Sequence, residues 1–161
     1  MQLVVDEAQA SANSRLTAIR AAILLTRSLE VWRRGRMDPE TVLIILAVIA
    51  ITSEKFTRAG LDADYRALDV YLPLEQLQAC NVASIAAATG LNRETTRRRV
   101  DAMIKSGALI RTEAGEIALP PDKVQERGAL ELIRKQLDAV VRFANESLRD
   151  GVLVAKERGG K

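Results

Sequence analysis

The chain has 161 residues, 48% of them apolar and only 3% aromatic, and its 24 Lys or Arg exceed its 21 Asp or Glu to give a formal net charge of +3. This length suits one compact domain or a small core with helical extensions, and the abundance of Ala, Leu, Ile, Arg and Glu predicts a mostly helical protein with little strand. The absence of histidine and the single cysteine, Cys80, exclude an internal disulfide and a Cys/His zinc cluster and leave only carboxylate, Lys or Tyr schemes for catalysis.

The first residues lack the basic region and apolar run of a signal peptide. The most apolar stretch, 42–51, is about half the roughly 20 residues that a membrane-spanning helix needs. These readings predict a soluble, cytoplasmic protein without a membrane partner.

Residues 1–35 contain few helix breakers. Leu16, Ile19, Ile23 and Leu24 recur at helical spacing with Arg15, Arg20 and Arg27 interleaved, which predicts an amphipathic helix preceded by frayed residues. Arg33, Arg34, Gly35 and Arg36 follow Trp32. That cluster combines last-turn cations with a glycine stop, and it suits either the helix dipole or a phosphate contact.

Asp38, Pro39 and Glu40 form a helix start, because Asp caps, Pro fits the first helical position and Glu meets the positive helix end. The residues that follow, Val42, Leu43, Ile44, Ile45, Leu46, Val48, Ile49 and Ile51, are apolar on every side. A helix of this kind is enclosed by other helices or by a partner, so it is the predicted central core helix, ending between Phe56 and Gly60. Beyond it the signal weakens. A turn is expected at 61–64, a helical stretch at 65–72 before Pro73, and a further short helix at 74–80.

Residues 81–119 carry the most specific pattern. Val82, Ile85 and Ala86 supply the inward face of a short helix, Gly90 permits a left-handed exit, Leu91 plugs the corner and Asn92 caps a second helix. On that helix Thr96, Val100, Met103 and Ile104 share one face. The opposite face carries Arg93, Glu94, Arg97, Arg98, Asp101 and Lys105. An arginine fork suits guanine O6 and N7 or a phosphate. Glu94 can accept from a cytosine amino group or hold Arg97 or Arg98 in a local pair. Gly107 ends the helix, and residues 108–112 and 116–119 are expected to pair as a hairpin in which Arg111 is the cation and Glu113 and Glu116 repel phosphate. A solvated, purely structural charged face is the plain alternative.

Pro120, Pro121 and Asp122 start the last helix, whose apolar positions are Leu130, Ile133, Leu137, Val140, Val141, Ala144 and Leu148. The pattern is expected to run to about Val154, with a frayed end at Gly159, Gly160 and Lys161. The two terminal helices could form a dimerisation platform or pack on each other within one subunit. Cys80 reads as a small buried hydrophobe, with a redox-sensing thiol as the alternative.

In residues 81–119, and more loosely in its helical flanks, the chain resembles the winged helix-turn-helix transcriptional regulators, nearest in layout to the multiple-antibiotic-resistance-regulator (MarR) type. The resemblance implies a mainly α fold with a small β-hairpin wing and long N- and C-terminal helices. It divides the chain into an N-terminal helix at 1–37, a DNA-binding domain at 38–121 and a C-terminal dimerisation helix at 122–161. It also implies a homodimer that reads a pseudo-palindromic operator in double-stranded DNA with the 92–105 helix, and repression relieved by a small effector. Carried onto this chain, the DNA-facing set is Asn92, Arg93, Glu94, Thr95, Arg97, Arg98 and Arg111, with no catalytic residue, metal or cofactor. Arg99 departs from the pattern, since it stands where such helices bury an apolar side chain, and it either snorkels or pairs with an acid. A protein-interaction or architectural module that binds an acidic partner, or DNA without sequence preference, is the other function that these residues allow.

Overall fold

The start of the core helix is set by three adjacent residues. In a computed structural model of the protein, which describes residues 1–33, 37–68, 70–125 and 127–157, Asp38 accepts hydrogen bonds from the backbone N–H of Glu40 at 3.1 Å and of Thr41 at 3.2 Å. Pro39 occupies the first helical turn. The Thr41 hydroxyl also donates to Asp38 at 2.7 Å. This bond, ahead of the Arg99 charge, holds the Asp38 carboxyl below the usual carboxylate range. The cap is therefore charged at neutral pH and is lost only as pH falls through that lowered value. Asp38→Ala should cost about 0.5–2 kcal/mol, the usual loss for an N-cap, read as a lower urea midpoint. Asp38→Asn should recover most of that loss, because Asn caps as well as Asp does.

Among the described residues the architecture is mainly helical with two small antiparallel strand pairs. In chain order the elements are β1 (Gln2–Val5), α1 (Glu7–Ala12), α2 (Ser14–Arg33), α3 (Pro39–Ala59), α4 (Val82–Thr89), α5 (Arg93–Lys105), β2 (Ile110–Arg111), β3 (Ile117–Ala118), α6 (Pro121–Val124), α7 (Arg127–Arg149) and β4 (Leu153–Lys156). None of the described helices is long and apolar enough to cross a membrane. The chain divides into two compact units, one made of Met1–Arg34 with Leu132–Lys161 and the other of Gly35–Glu131. Arg34, Gly35 and Arg36 of the predicted cation cluster, and the expected frayed end at 159–161, lie outside the described residues.

The second unit holds the core. Val42, Ile44, Ile45, Ala47 and Val48 of α3 are buried together with Ile85 of α4, Val100 and Met103 of α5, and Leu109, Ile117 and Ala118 around the hairpin. The segment between α3 and α4 is less helical than its sequence suggests. Among its described residues it contains only single 3-10 turns at Ala63–Tyr65 and Leu74–Gln76, where helices were expected at 65–72 and 74–80. Tertiary bonding supplies a reason at its C-terminal end, since the Gln78 N–H donates to the carbonyl of Thr52 on α3 at 2.9 Å instead of closing a helical turn. Thr52 is itself buried and donates its hydroxyl to Val48 O at 2.8 Å.

In the first unit α2 and α7 lie antiparallel. Near one end, Arg20 donates to Glu146 O at 3.0 Å and pairs with the carboxylates of Glu146 and Asp150. Near the other, the Gln136 amide donates to the Ser28 hydroxyl at 3.0 Å. Two expectations change in this unit. Residues 2–5, expected to be frayed, form β1 and pair with β4 in the register Gln2 to Lys156 and Val5 to Leu153. The last helix stops at Arg149 rather than near Val154, because Gly151 turns the chain at φ +71°. The Asp6 N–H then closes the pairing by donating to Val152 O at 3.0 Å.

Very little of this unit is dry. No residue of α2 is buried, and among the unit's described residues only Ser147 and Val152 are. Leu16, Ile19 and Ile23 of α2, and Ile133, Leu137, Val140, Val141 and Leu148 of α7, are each 38–51% exposed. At about 100° per residue the five α7 positions fall within an arc of about 100°. They form a stripe and are not scattered surface apolars.

Candidate functional site

The α4–α5 pair is built from strong local signals. Asn81 and Ser84 cap α4 reciprocally: the Ser84 N–H donates to Asn81 Oδ1 and the Asn81 N–H to Ser84 Oγ, both at 3.0 Å. At the far end Gly90 adopts φ +71°. A Cβ there would meet nothing within 4 Å, so it is the left-handed backbone rather than crowding that favours glycine. Leu91 is half-buried in the corner. Asn92 Oδ1 then accepts from the Glu94 N–H at 2.9 Å and starts α5.

The face of α5 toward the core carries Thr96, Val100 and Met103, all buried, with Ile104 half-buried beside them. Thr96, although polar, is fully enclosed and donates its hydroxyl to Asn92 O at 3.0 Å. Arg99 is explained by partners distant in sequence. Its guanidinium donates to Asp38 at 3.0 Å and pairs with Glu40, so it ties the middle of α5 to the N-terminus of α3. Its role is structural, and the acid-pairing alternative of the sequence holds.

On the outer face Arg97 is held on both sides. Its Nε donates to Glu94 Oε2 at 2.9 Å, one terminal nitrogen to Glu94 Oε1 at 2.6 Å, and the other to Asp101 Oδ2 at 3.2 Å. The hydrogen bond from Arg97 lowers the Glu94 carboxyl below its ordinary range, and the same bond raises the Arg97 guanidinium. The local pair is thus the role that the geometry gives Glu94. Arg93, Arg98 and Lys105 are exposed and, among the described residues, take part in no ion pair or side-chain hydrogen bond. Thr95 is half-buried in the first turn of the helix.

The hairpin is shorter than its apolar runs suggested, two residues in each strand, with Ile110 opposite Ala118 and Arg111 opposite Ile117. Gly107 at φ +74° turns the chain out of α5, and Gly115 at φ +81° makes the tip. The Thr112 N–H donates to Glu116 O at 2.8 Å, and the Ile117 N–H donates to Cys80 O at 2.8 Å, which ties the hairpin to the residue just before the α4 cap. Cys80 is fully buried, and burial pushes its thiol pKa up; both oppose thiolate chemistry.

Arg111 donates to Gly115 O at 3.1 Å and lies 3.7 Å from Asp101 Oδ1. Asp101 therefore stands between the α5 cation Arg97 and the hairpin cation Arg111. The sequence reading placed Asp101 on the outer face without a role, although its i, i+4 relation to Arg97 was a usable signal. Asn92, Arg93, Glu94, Thr95, Arg97, Arg98 and Arg111 all fall on α5, its cap or the adjoining hairpin. Among the described residues, no group of three or more His, Cys, Asp or Glu is placed to hold a metal ion. No protein-family model, no curated protein and no solved structure matches the chain.

Proposed function

We propose that this chain is a DNA-binding transcriptional regulator of the winged helix-turn-helix kind, MarR-like in layout, that binds duplex DNA rather than carrying out catalysis. The observation that carries the reading is the outer face of α5. Arg93, Arg98 and Lys105 project from a helix capped at Asn92 and backed by Val100 and Met103, with no ion pair or side-chain hydrogen bond among the described residues. A rigid helix presenting arginines is what major-groove reading requires, because the phosphate term supplies affinity and the guanidinium forks supply base discrimination. In this reading the β2–β3 hairpin is an accessory wing, since its cation Arg111 is already engaged with Gly115 O and Asp101.

The reading includes a homodimer formed through α2 and α7, repressing transcription until a small effector releases the DNA. The eight apolar side chains left about half exposed on these helices support a second copy as the occupant. At about 1.5–3 kcal/mol for complete burial of each, they leave roughly 6–12 kcal/mol of unrealised burial per subunit. Two subunits together, at roughly 12–24 kcal/mol, are of the size of an association cost of about 4–15 kcal/mol.

Selection of bound fragments from random duplexes by the purified chain tests the whole reading. We expect a two-fold symmetric site bound with an affinity that falls steeply as salt is raised. Equal affinity for selected and random duplex would remove sequence-specific regulation. No binding of any duplex would remove the DNA reading.

A further inference from the structure

The cations near α5 fall into two classes. Arg97 is chelated by Glu94 and Asp101, and Arg111 of the wing stands against the other oxygen of Asp101. Arg93, Arg98 and Lys105 lack such a partner among the described residues. Helical spacing puts Glu94 and Asp101, seven residues apart, in one row, with Arg98 and Lys105 on one side of it and Arg97, preceded by Arg93 four residues earlier, on the other.

We propose that Asp101 is a specificity-determining residue that withholds Arg97 and Arg111 from indiscriminate phosphate contact and leaves recognition to Arg98 and Arg93. This rests on the DNA-binding reading given above. The carboxylate acts in two ways. It accepts a hydrogen bond from Arg97 and stands as a counter-charge 3.7 Å from Arg111, two guanidinium groups that could each neutralise a phosphate, and it places a fixed negative charge where any duplex must approach. A repulsive element of this kind weakens every complex, but it weakens most those that have only phosphate contacts to offer. A correct site offsets the loss through base contacts made by the uncommitted arginines. Exposed ion pairs contribute little to stability, so the arrangement matters for charge placement and not for holding the fold together.

The test compares wild type with Asp101→Asn and Asp101→Ala on a random-sequence duplex and on the best selected duplex, across a salt series. Glu7→Gln, at an exposed acid of α1 in the other unit, controls for the change in net charge. Circular dichroism verifies that all variants keep wild-type helix content. Both Asp101 variants should bind random duplex about three- to tenfold more tightly. The slope of log affinity against log salt should steepen by about one for each subunit engaged. The ratio of selected to random affinity should fall. Random-duplex affinity and salt slope equal to those of Glu7→Gln would overturn the role of Asp101 while leaving DNA binding by the wild type standing. Failure of the wild type to bind either duplex at low salt would overturn both readings together.

Discussion

Replacing Arg93 and Arg98 together by Ala should lower affinity for the selected duplex about thirty- to twenty-five-thousand-fold for each α5 engaged. Each well-placed arginine fork contributes about 1–3 kcal/mol of base discrimination, and two are removed from every α5. Helix content should not change, because both side chains are exposed and neither makes an ion pair among the described residues. A filter-binding titration beside a circular dichroism spectrum reads both quantities. Arg97→Ala should be milder than Arg98→Ala, since the Arg97 guanidinium is already shared between Glu94 and Asp101. The reverse order would reassign the reading side chain.

The second large effect concerns the apolar stripe of α7. Leu137→Glu puts a carboxylate in the middle of the set Ile133, Leu137, Val140 and Val141. If a second copy covers this set, the change buries an unpaired charge twice in a two-fold interface. A buried charge without a partner costs several kcal/mol. Self-association should therefore weaken at least a hundredfold, and sedimentation velocity at micromolar concentration should report a monomer where the wild type sediments as a dimer. Leu137 is 49% exposed within a single chain, so the monomer should keep its helix content. An unchanged sedimentation coefficient would show that the stripe does not join two copies.

The boundaries that could be read from sequence were those decided by neighbouring residues. Asp38 with Pro39, Gly90, Asn92 and Gly107 each fix a turn or cap within about four residues, and the structure places element ends at or beside each of them. The buried face of α5 was legible for a similar reason, because a 3.6-residue period is visible over a dozen positions, whereas α3, apolar on every side in the sequence, gave no sign that Leu43 would stay 39% exposed. What escaped depends on partners far along the chain. β1 is four residues long, too short to show alternation, and its partner β4 lies about 150 residues away. Gln78 turns from helix because its N–H finds Thr52. Arg99 looked misplaced until Asp38 and Glu40, about 60 residues earlier, were brought beside it. Within the candidate site, the residue types and the helix were evident. The division between committed and uncommitted arginines was not, because sequence spacing permits several i, i+3 and i, i+4 pairs and only side-chain geometry selects among them.

The pairing of β1 with β4 also bears on how the chain is made. The unit that contains it takes residues from both ends of the polypeptide, whereas Gly35–Glu131 is continuous. During synthesis at about 5–20 residues per second, the 97 intervening residues delay the arrival of α7 behind α2 by roughly 5–20 s. Throughout that interval Leu16, Ile19 and Ile23 have no α7 against them, while the continuous unit can already close around α3. The order of emergence therefore favours closure of the continuous unit around α3 before the unit that holds β1, α2, α7 and β4.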